Sequence, residues 1–387
     1  MRCLPGTLLI LATIISLIVA NSPLGDSYHH LLSGINLFGN FNIHMLVNDF
    51  LMTIFFLLVG LEIKHEVLHG NLSSLKKASF PIIGAIGGVL VPAIIFLIFN
   101  SNTEFASGVG IPISTDIAFA IGLFMMLKNK MNPLLKIFLL SLAVVDDLIS
   151  ILVIGILYSS GIKYEFLIMS AIITGLLLII NKKKINKITP YMILGFILWI
   201  CIYSSGIHAT ISGVILAMSI PSKKFINSKS SVLESLEHKL TPICNYFILP
   251  LFALVNTAIS FGVSTNSNSS MTLINGIIIG LFIGKPLGIM LFTWIATKLN
   301  ITEKPEGVDW WSIFAVSLLA GIGFTMSIFV SEVAFGYSAE LVNISKVSIL
   351  IASVMSICAT YMVSTVINIY KKKSAIYINS SDTKSMA

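Results

Sequence analysis

The chain has 387 residues, of which 56% are apolar and 11% charged, and its mean hydropathy is +0.95. Soluble domains carry about 25% charged residues, so this composition excludes a soluble enzyme and a disordered chain, and the number of apolar runs excludes a single-span anchor. The net charge of +7 comes from scattered lysines and one arginine, Arg2, a pattern that suits a membrane surface and not nucleic acid.

The apolar runs are 15 to 27 residues long, enough to cross a hydrocarbon core of about 30 Å. Only a helix satisfies its own backbone in lipid, so each run is predicted to be one helical crossing. Twelve result, at about 7–21, 44–65, 79–99, 105–127, 133–158, 165–181, 188–204, 206–220, 240–261, 272–298, 311–335 and 343–370. The first run also has the shape of a cleaved leader, but no clean small-x-small site precedes Asn21. After it, INLFGNFNIH at 35–44 alternates around Gly39-Asn40, which reads as a small hairpin or an irregular loop.

An even number of crossings puts both termini on one side. Of the 24 basic residues, 21 fall on that same side, leaving Lys163 and Lys346 opposite and Lys285 inside the membrane. Positive charge marks the cytoplasm. The expectation is therefore an all-α membrane protein with cytoplasmic termini, one polytopic domain over 1–387 with its bundle at 7–370 and a cytoplasmic tail at 371–387. Cys3, Cys201, Cys244 and Cys358 stand singly without C-x-x-C spacing, implying neither a zinc site nor a disulfide frame. His29-His30 has no carboxylate cluster beside it and is not read as a metal site, and His208 reads as a packing residue.

Of the 17 acidic residues, three lie deep within apolar runs: Asp116, Asp146 and Asp147. Asp146 is 13 residues from one end of its crossing and 12 from the other, Asp116 is 11 from both ends, and Lys285 is 13 from both. Four ionisable groups from three helices thus share one depth. A charge there costs at least about 2.5 kcal/mol, so such groups face one another or a wet cavity. One lysine cannot neutralise three carboxylates, and surplus carboxylate is what a cation or proton site requires. Asp146 and Asp147 are adjacent and point about 100° apart on a helix, so one can pair with Lys285 while the other binds a hard cation or a proton. Ser114 and Thr115 add oxygen atoms beside Asp116.

Two segments are poorly suited to continuous helix: GVGIPISTD at 108–116 and GIGFTMS at 321–327, each with a G-x-G, the first also with Pro112. They occupy the middle members of crossings three to five and ten to twelve, triplets that run in opposite directions as an inverted repeat requires. Glycine-interrupted helices at corresponding positions point to a transporter's midplane site, where half-helix ends and free carbonyls meet the ion.

The sequence resembles the NhaA-type sodium/proton antiporters of bacterial inner membranes. The motifs that carry the resemblance are FFLLVGLEIKHEV at 55–67, PISTDIAFAIG at 112–122, KIFLLSLAVVDDL at 136–148, GIHATISGV at 206–214, LPLFALVNT at 249–257, IGKPLGI at 283–289 and GIGFTMSIFV at 321–330. The resemblance implies twelve helices with crossings four and eleven unwound and crossing each other at midmembrane. It implies that Asp147 is the cation ligand and proton carrier, that Asp146 pairs with Lys285, and that Thr115 and Asp116 contribute from the unwound segment. It further implies exchange of external protons for internal sodium or lithium with net charge moving inward, alkaline activation, no cofactor, and a dimer contact through the loop after the first crossing. That loop is shorter here than in the family. His65 stands where members carry an arginine, and Thr241 where they carry a second histidine.

Two other classes fit less well. An intramembrane aspartyl protease would carry G-x-G-D, whereas Val145 and Asp146 precede Asp147, and a cation channel would show filter loops or acidic rings. For pH control, Glu62 and Glu66 lie four apart on one helix face with Lys64 and His65 between them, and Glu237-His238 precede the ninth crossing on the same side. Such a cluster of carboxylates and imidazoles changes charge between about pH 5 and 8; the plain alternative is a solvated helix end.

Overall fold

The computed structural model describes residues 4–34, 36–38, 41–127, 131–159, 161–183, 185, 187–222, 231–259 and 268–385. Seven of the basic residues used for orientation, Arg2, Lys128, Lys130, Lys184, Lys223, Lys224 and Lys229, lie outside the described residues, as do Cys3, Gly39 and Asn40.

Helix dominates. In chain order the principal helices are α1 (Leu4–Ala20), α2 (Ile43–His69), α3 (Leu75–Asn100), α4 (Ile117–Met126), α5 (Leu134–Leu157), α6 (Tyr164–Lys182), α7 (Ile188–Ser205), α8 (Ile211–Ser219), α9 (Val232–Asn256), α10 (Ser270–Lys298), α11 (Trp310–Ala320), α12 (Phe324–Phe335) and α13 (Ala339–Ser385). Among the described residues, eight helices are long and apolar enough to cross a membrane, and up to eleven crossings result when each bent pair counts as one. The chain is a multi-pass membrane protein. The predicted loop before the second crossing contains a hairpin: Asn36–Phe38 pairs antiparallel with Phe41–Asn42.

Several boundaries depart from the sequence reading. The eighth crossing, expected at 206–220, holds only nine helical residues in α8, because Gly206 takes a left-handed φ of 86° and ends α7, with turns before Ile211. Lys64 caps the far end of α8, its Nζ donating to the carbonyls of Met218 (2.6 Å) and Ile220 (2.5 Å). The ninth crossing, expected from 240, begins eight residues earlier because Ser231 and Glu234 form a capping box that satisfies the first free amides of α9. The tail after 370 continues α13 as helix.

Both glycine-interrupted segments are broken, as the sequence predicts. Glu104–Ile113 is a 3₁₀ helix, Ser114–Asp116 is extended, and α4 follows at a bend of 41°. Pro112 has no amide to give a helix, and Thr103 and Asp116 cap the two halves with their side chains. The second break, at Gly321–Gly323, bends α11 against α12 by 45°.

A close approach elsewhere positions the lysine. A Cβ on Gly87 of α3 would collide with the carbonyl of Gly288 of α10, and a Cβ on Gly288 with that of Gly87. The two helices therefore meet backbone to backbone, the small-residue packing that membranes favour. Lys285, one turn before this contact, is thereby carried into the interior, where none of its surface is exposed.

Candidate functional site

The two breaks are stitched to each other by groups a continuous helix would have used internally. The Asp116 amide donates to the Ile322 carbonyl (2.8 Å), the Thr115 hydroxyl to the Ala320 carbonyl (2.8 Å), and the Ser327 hydroxyl to the Ile111 carbonyl (2.8 Å). Buried backbone polar groups require partners, and these bonds supply them where the i→i−4 ladder stops. Tyr158, just past α5, holds the first half-helix near its middle, donating to the Ser107 carbonyl (2.6 Å) and accepting from the Gly110 amide (3.3 Å).

Around the breaks the sequence-predicted residues form three groups. In the first, Asp146 Oδ2 accepts from Lys285 Nζ (2.6 Å) and from the Thr115 hydroxyl (2.6 Å), and Lys285 also donates to the Ile113 carbonyl. Pairing of Asp146 with Lys285 is thus seen in the geometry. The Thr115 hydroxyl, expected as an oxygen ligand, directs its proton toward Asp146 and the Ala320 carbonyl.

In the second group, Asp116 caps α4, its Oδ1 accepting from the Phe119 amide (2.9 Å). Its Oδ2 accepts from the amide (3.1 Å) and the hydroxyl of Thr325, at the start of α12. One carboxylate therefore sits between the amino ends of two half-helices, where the macrodipoles favour negative charge.

The third group is Asp147 alone. The residue is 1% exposed, and Oδ1 has no hydrogen-bond partner among the described residues. It lines a cavity of about 220 Å³ with Glu62, Asn245, Phe55, Leu58 and Val59. A buried carboxylate oxygen without a donor is costly, and an open cavity beside it gives the missing partner a place to sit. Adjacent Asp146 and Asp147 thus differ in circumstance: Asp146 has one oxygen held by Lys285 and Thr115 while its Oδ1 has no partner among the described residues, and Asp147 has no ion-pair partner there and borders the cavity.

The residues grouped for pH response gather where the end of α2 meets α9. His65 Nδ1 lies 2.9 Å from Glu237 Oε2, joining the end of α2 to α9. Glu237 and His238 border surface hollows with Glu234 and Lys239. Glu62, within electrostatic reach of Glu66 and Glu237, also borders the Asp147 cavity. One helical turn of α2 thus separates a cavity carboxylate from a surface imidazole.

The sequence reading missed a second buried ion pair. Glu332 of α12 and Lys346 of α13, neither counted among the deep charges, have side chains only 13% and 7% exposed and lie 2.6 Å apart. His44 Nε2 approaches the same carboxylate oxygen at 3.5 Å. Near it, Asn48 and Asn256 exchange amide hydrogen bonds of 2.7 and 3.2 Å between α2 and α9. The available signal was opposite charge at facing run ends: Glu332 is three residues before the end of one run and Lys346 three into the next.

Over residues 2–364 the chain matches the family described as Na+/H+ antiporter 1. It is 46% identical to the Na(+)/H(+) antiporter NhaA 2 of Aliarcobacter butzleri, in an alignment covering 91% of this chain and 92% of that protein. It is likewise 46% identical to the Na(+)/H(+) antiporter NhaA of Vibrio parahaemolyticus (90% and 91% covered) and 41% identical to that of Helicobacter pylori (91% and 90%). With a match spanning nearly its whole length, this multi-pass membrane chain belongs to the Na+/H+ antiporter 1 family.

Proposed function

We propose that the chain is a secondary transporter and not an enzyme: an antiporter of the bacterial inner membrane that moves sodium, or lithium in its place, outward in exchange for protons moving inward. The observation that carries this reading is the unpartnered, buried Asp147 oxygen at the edge of a cavity, next to an Asp146 whose charge is already matched by Lys285. A carboxylate so placed holds a partly dehydrated cation through oxygen or holds a proton, and the two exclude each other. Alternation between them, with the cavity open to one side at a time, is exchange. The relatives named above supply the identity of the two ions.

The finer features follow from the same arrangement. Twelve crossings with both termini cytoplasmic agree with the basic residues, with α8 and the turns before it serving as a short eighth crossing. Opposite triplets around the two breaks act as inverted halves, and Asp116 stabilises the facing half-helix ends through which they meet. If the Asp146–Lys285 pair opens during the cycle, a second proton rides on one of its members, and more positive charge enters than leaves. Glu62, Glu66, His65, Glu237 and His238 tie this activity to cytoplasmic pH. The protein needs no cofactor, binds no nucleic acid, and pairs as a homodimer through the hairpin at 36–42.

The test is sodium-driven proton flux in proteoliposomes at alkaline pH. Asp147→Asn keeps the volume and removes both the charge and the proton site, so flux is expected to fall to that of protein-free vesicles. Flux at the unsubstituted level would overturn the mechanism.

A further inference from the structure

Away from the ion site, α10 and α11 enclose a groove of about 690 Å³ on the outside of the bundle. Its walls are apolar and largely aromatic, with Met290, Leu291 and Trp294 from α10 and Trp310, Trp311 and Phe314 from α11. Trp294 and Trp311 remain 46% and 68% exposed, so the groove has no cover among the described residues. At one end of each wall an ammonium group lies over an indole: Lys298 Nζ is 5.0 Å from the Trp294 ring centre, and Lys304 Nζ is 5.7 Å from that of Trp310. Trp294 and Lys298 are four apart on α10 and share a helix face.

The rings therefore do two things. Their bodies form the apolar walls, and their faces hold two positive charges at the rim by cation–π attraction. Carboxylates stand on the connecting loop as well. Asp309 accepts from the Ser312 hydroxyl (2.7 Å) at the start of α11, and Glu303 and Glu306 are exposed on the loop. Neither lysine is among the ion pairs found for the described residues.

We propose that this groove binds one anionic phospholipid of the membrane, an acyl chain lying along the tryptophan walls and the phosphate headgroup held between Lys298 and Lys304. An apolar slot fits a hydrocarbon chain, and two cations at its interfacial end favour a headgroup with net negative charge over a zwitterionic one. Basic pockets between crossings at the cytoplasmic side select anionic headgroups for this reason, and Trp at that level is where its amphipathic ring is most stable.

Native mass spectrometry of the purified, delipidated full chain, titrated with phosphatidylglycerol or phosphatidylcholine of identical acyl chains, tests this. One phosphatidylglycerol is expected to bind in preference to phosphatidylcholine, with the preference falling about fivefold for each of Lys298→Gln and Lys304→Gln. Leu291→Trp, which fills the slot, is expected to weaken both lipids, and Lys182→Gln/Lys187→Gln, elsewhere on the surface, to leave the preference intact. Equal binding of the two lipids, a preference that survives loss of Lys298 and Lys304, or one lost equally in the Lys182 and Lys187 control overturns the proposal. So does a second copy of the chain in the groove, seen as a dimer that Leu291→Trp abolishes.

Discussion

A buried charge reveals its worth when its partner is removed, and Glu332 offers the cleanest case outside the ion site. Its carboxylate faces Lys346 at 2.6 Å and His44 at 3.5 Å. Breaking a buried pair from one side costs about 3–5 kcal/mol, because the remaining charge is stranded. Glu332→Gln is therefore expected to lower the thermal unfolding midpoint in detergent by several degrees, and Glu332→Gln/Lys346→Met to recover most of the loss. A double variant no more stable than the single one would show that packing, not stranded charge, sets the cost. The same pair shows how residue-level reading fails. Asp116, Asp146, Asp147 and Lys285 were legible because each lies far from both ends of an apolar run. Glu332 and Lys346 each lie near a run's end, where water is the default neighbour, and only the packing of α12 on α13 buries them.

Helices reach the site by close approaches that have small residues as their only sequence mark. The Gly87–Gly288 contact sets the depth at which α10 delivers Lys285 to Asp146. Gly288→Ala would push the two backbones apart. Overpacking of this kind costs about 1–3 kcal/mol, and the displaced Lys285 would hold Asp146 less well. The expected result is a lower unfolding midpoint together with a reduced exchange rate, whereas Gly175→Ala on α6, where a Cβ meets nothing within 4 Å, should change neither. Transport unaffected by Gly288→Ala would mean that α10 has slack at this point. Element breaks were more legible than element lengths. G-x-G with Pro112 announces a break because glycine and proline fail locally, whereas the nine-residue α8 depends on the Gly206 turn and on Lys64 reaching across from α2, a contact no local pattern encodes. The early start of α9 was readable in principle, since Ser231 and Glu234 have capping-box spacing. Hydropathy alone passed over it because the first turns of α9 are polar.

Across the whole molecule, α2 and α9 both run from the charged surface hollow to the cavity, with His65 of α2 bound to Glu237 of α9 at the surface and Glu62 of α2 and Asn245 of α9 lining the cavity with Asp147. Charge at the surface can thus bias the cavity through these two helices. The hollow around His65 also holds Glu234, His238 and Lys239, and the His69 ring lies 5.9 Å from that of His65. An imidazole that is charged at lower pH and neutral at higher pH attracts the Glu237 carboxylate less as pH rises, so the tie between α2 and α9 loosens on the alkaline side. If the loosened packing is the active one, activity switches on with rising pH, the direction the family resemblance implies. His65→Arg keeps the positive charge at every pH and is expected to move the activation midpoint to more alkaline values. Glu237→Gln removes the partner and is expected to move it the other way, both read from sodium-induced proton flux scanned over pH in everted vesicles. Opposite shifts are the signature of a titrating tie. Shifts of the same sign would indicate general damage to the helix ends, and an unchanged midpoint in both variants would reduce His65 and Glu237 to ordinary surface charges.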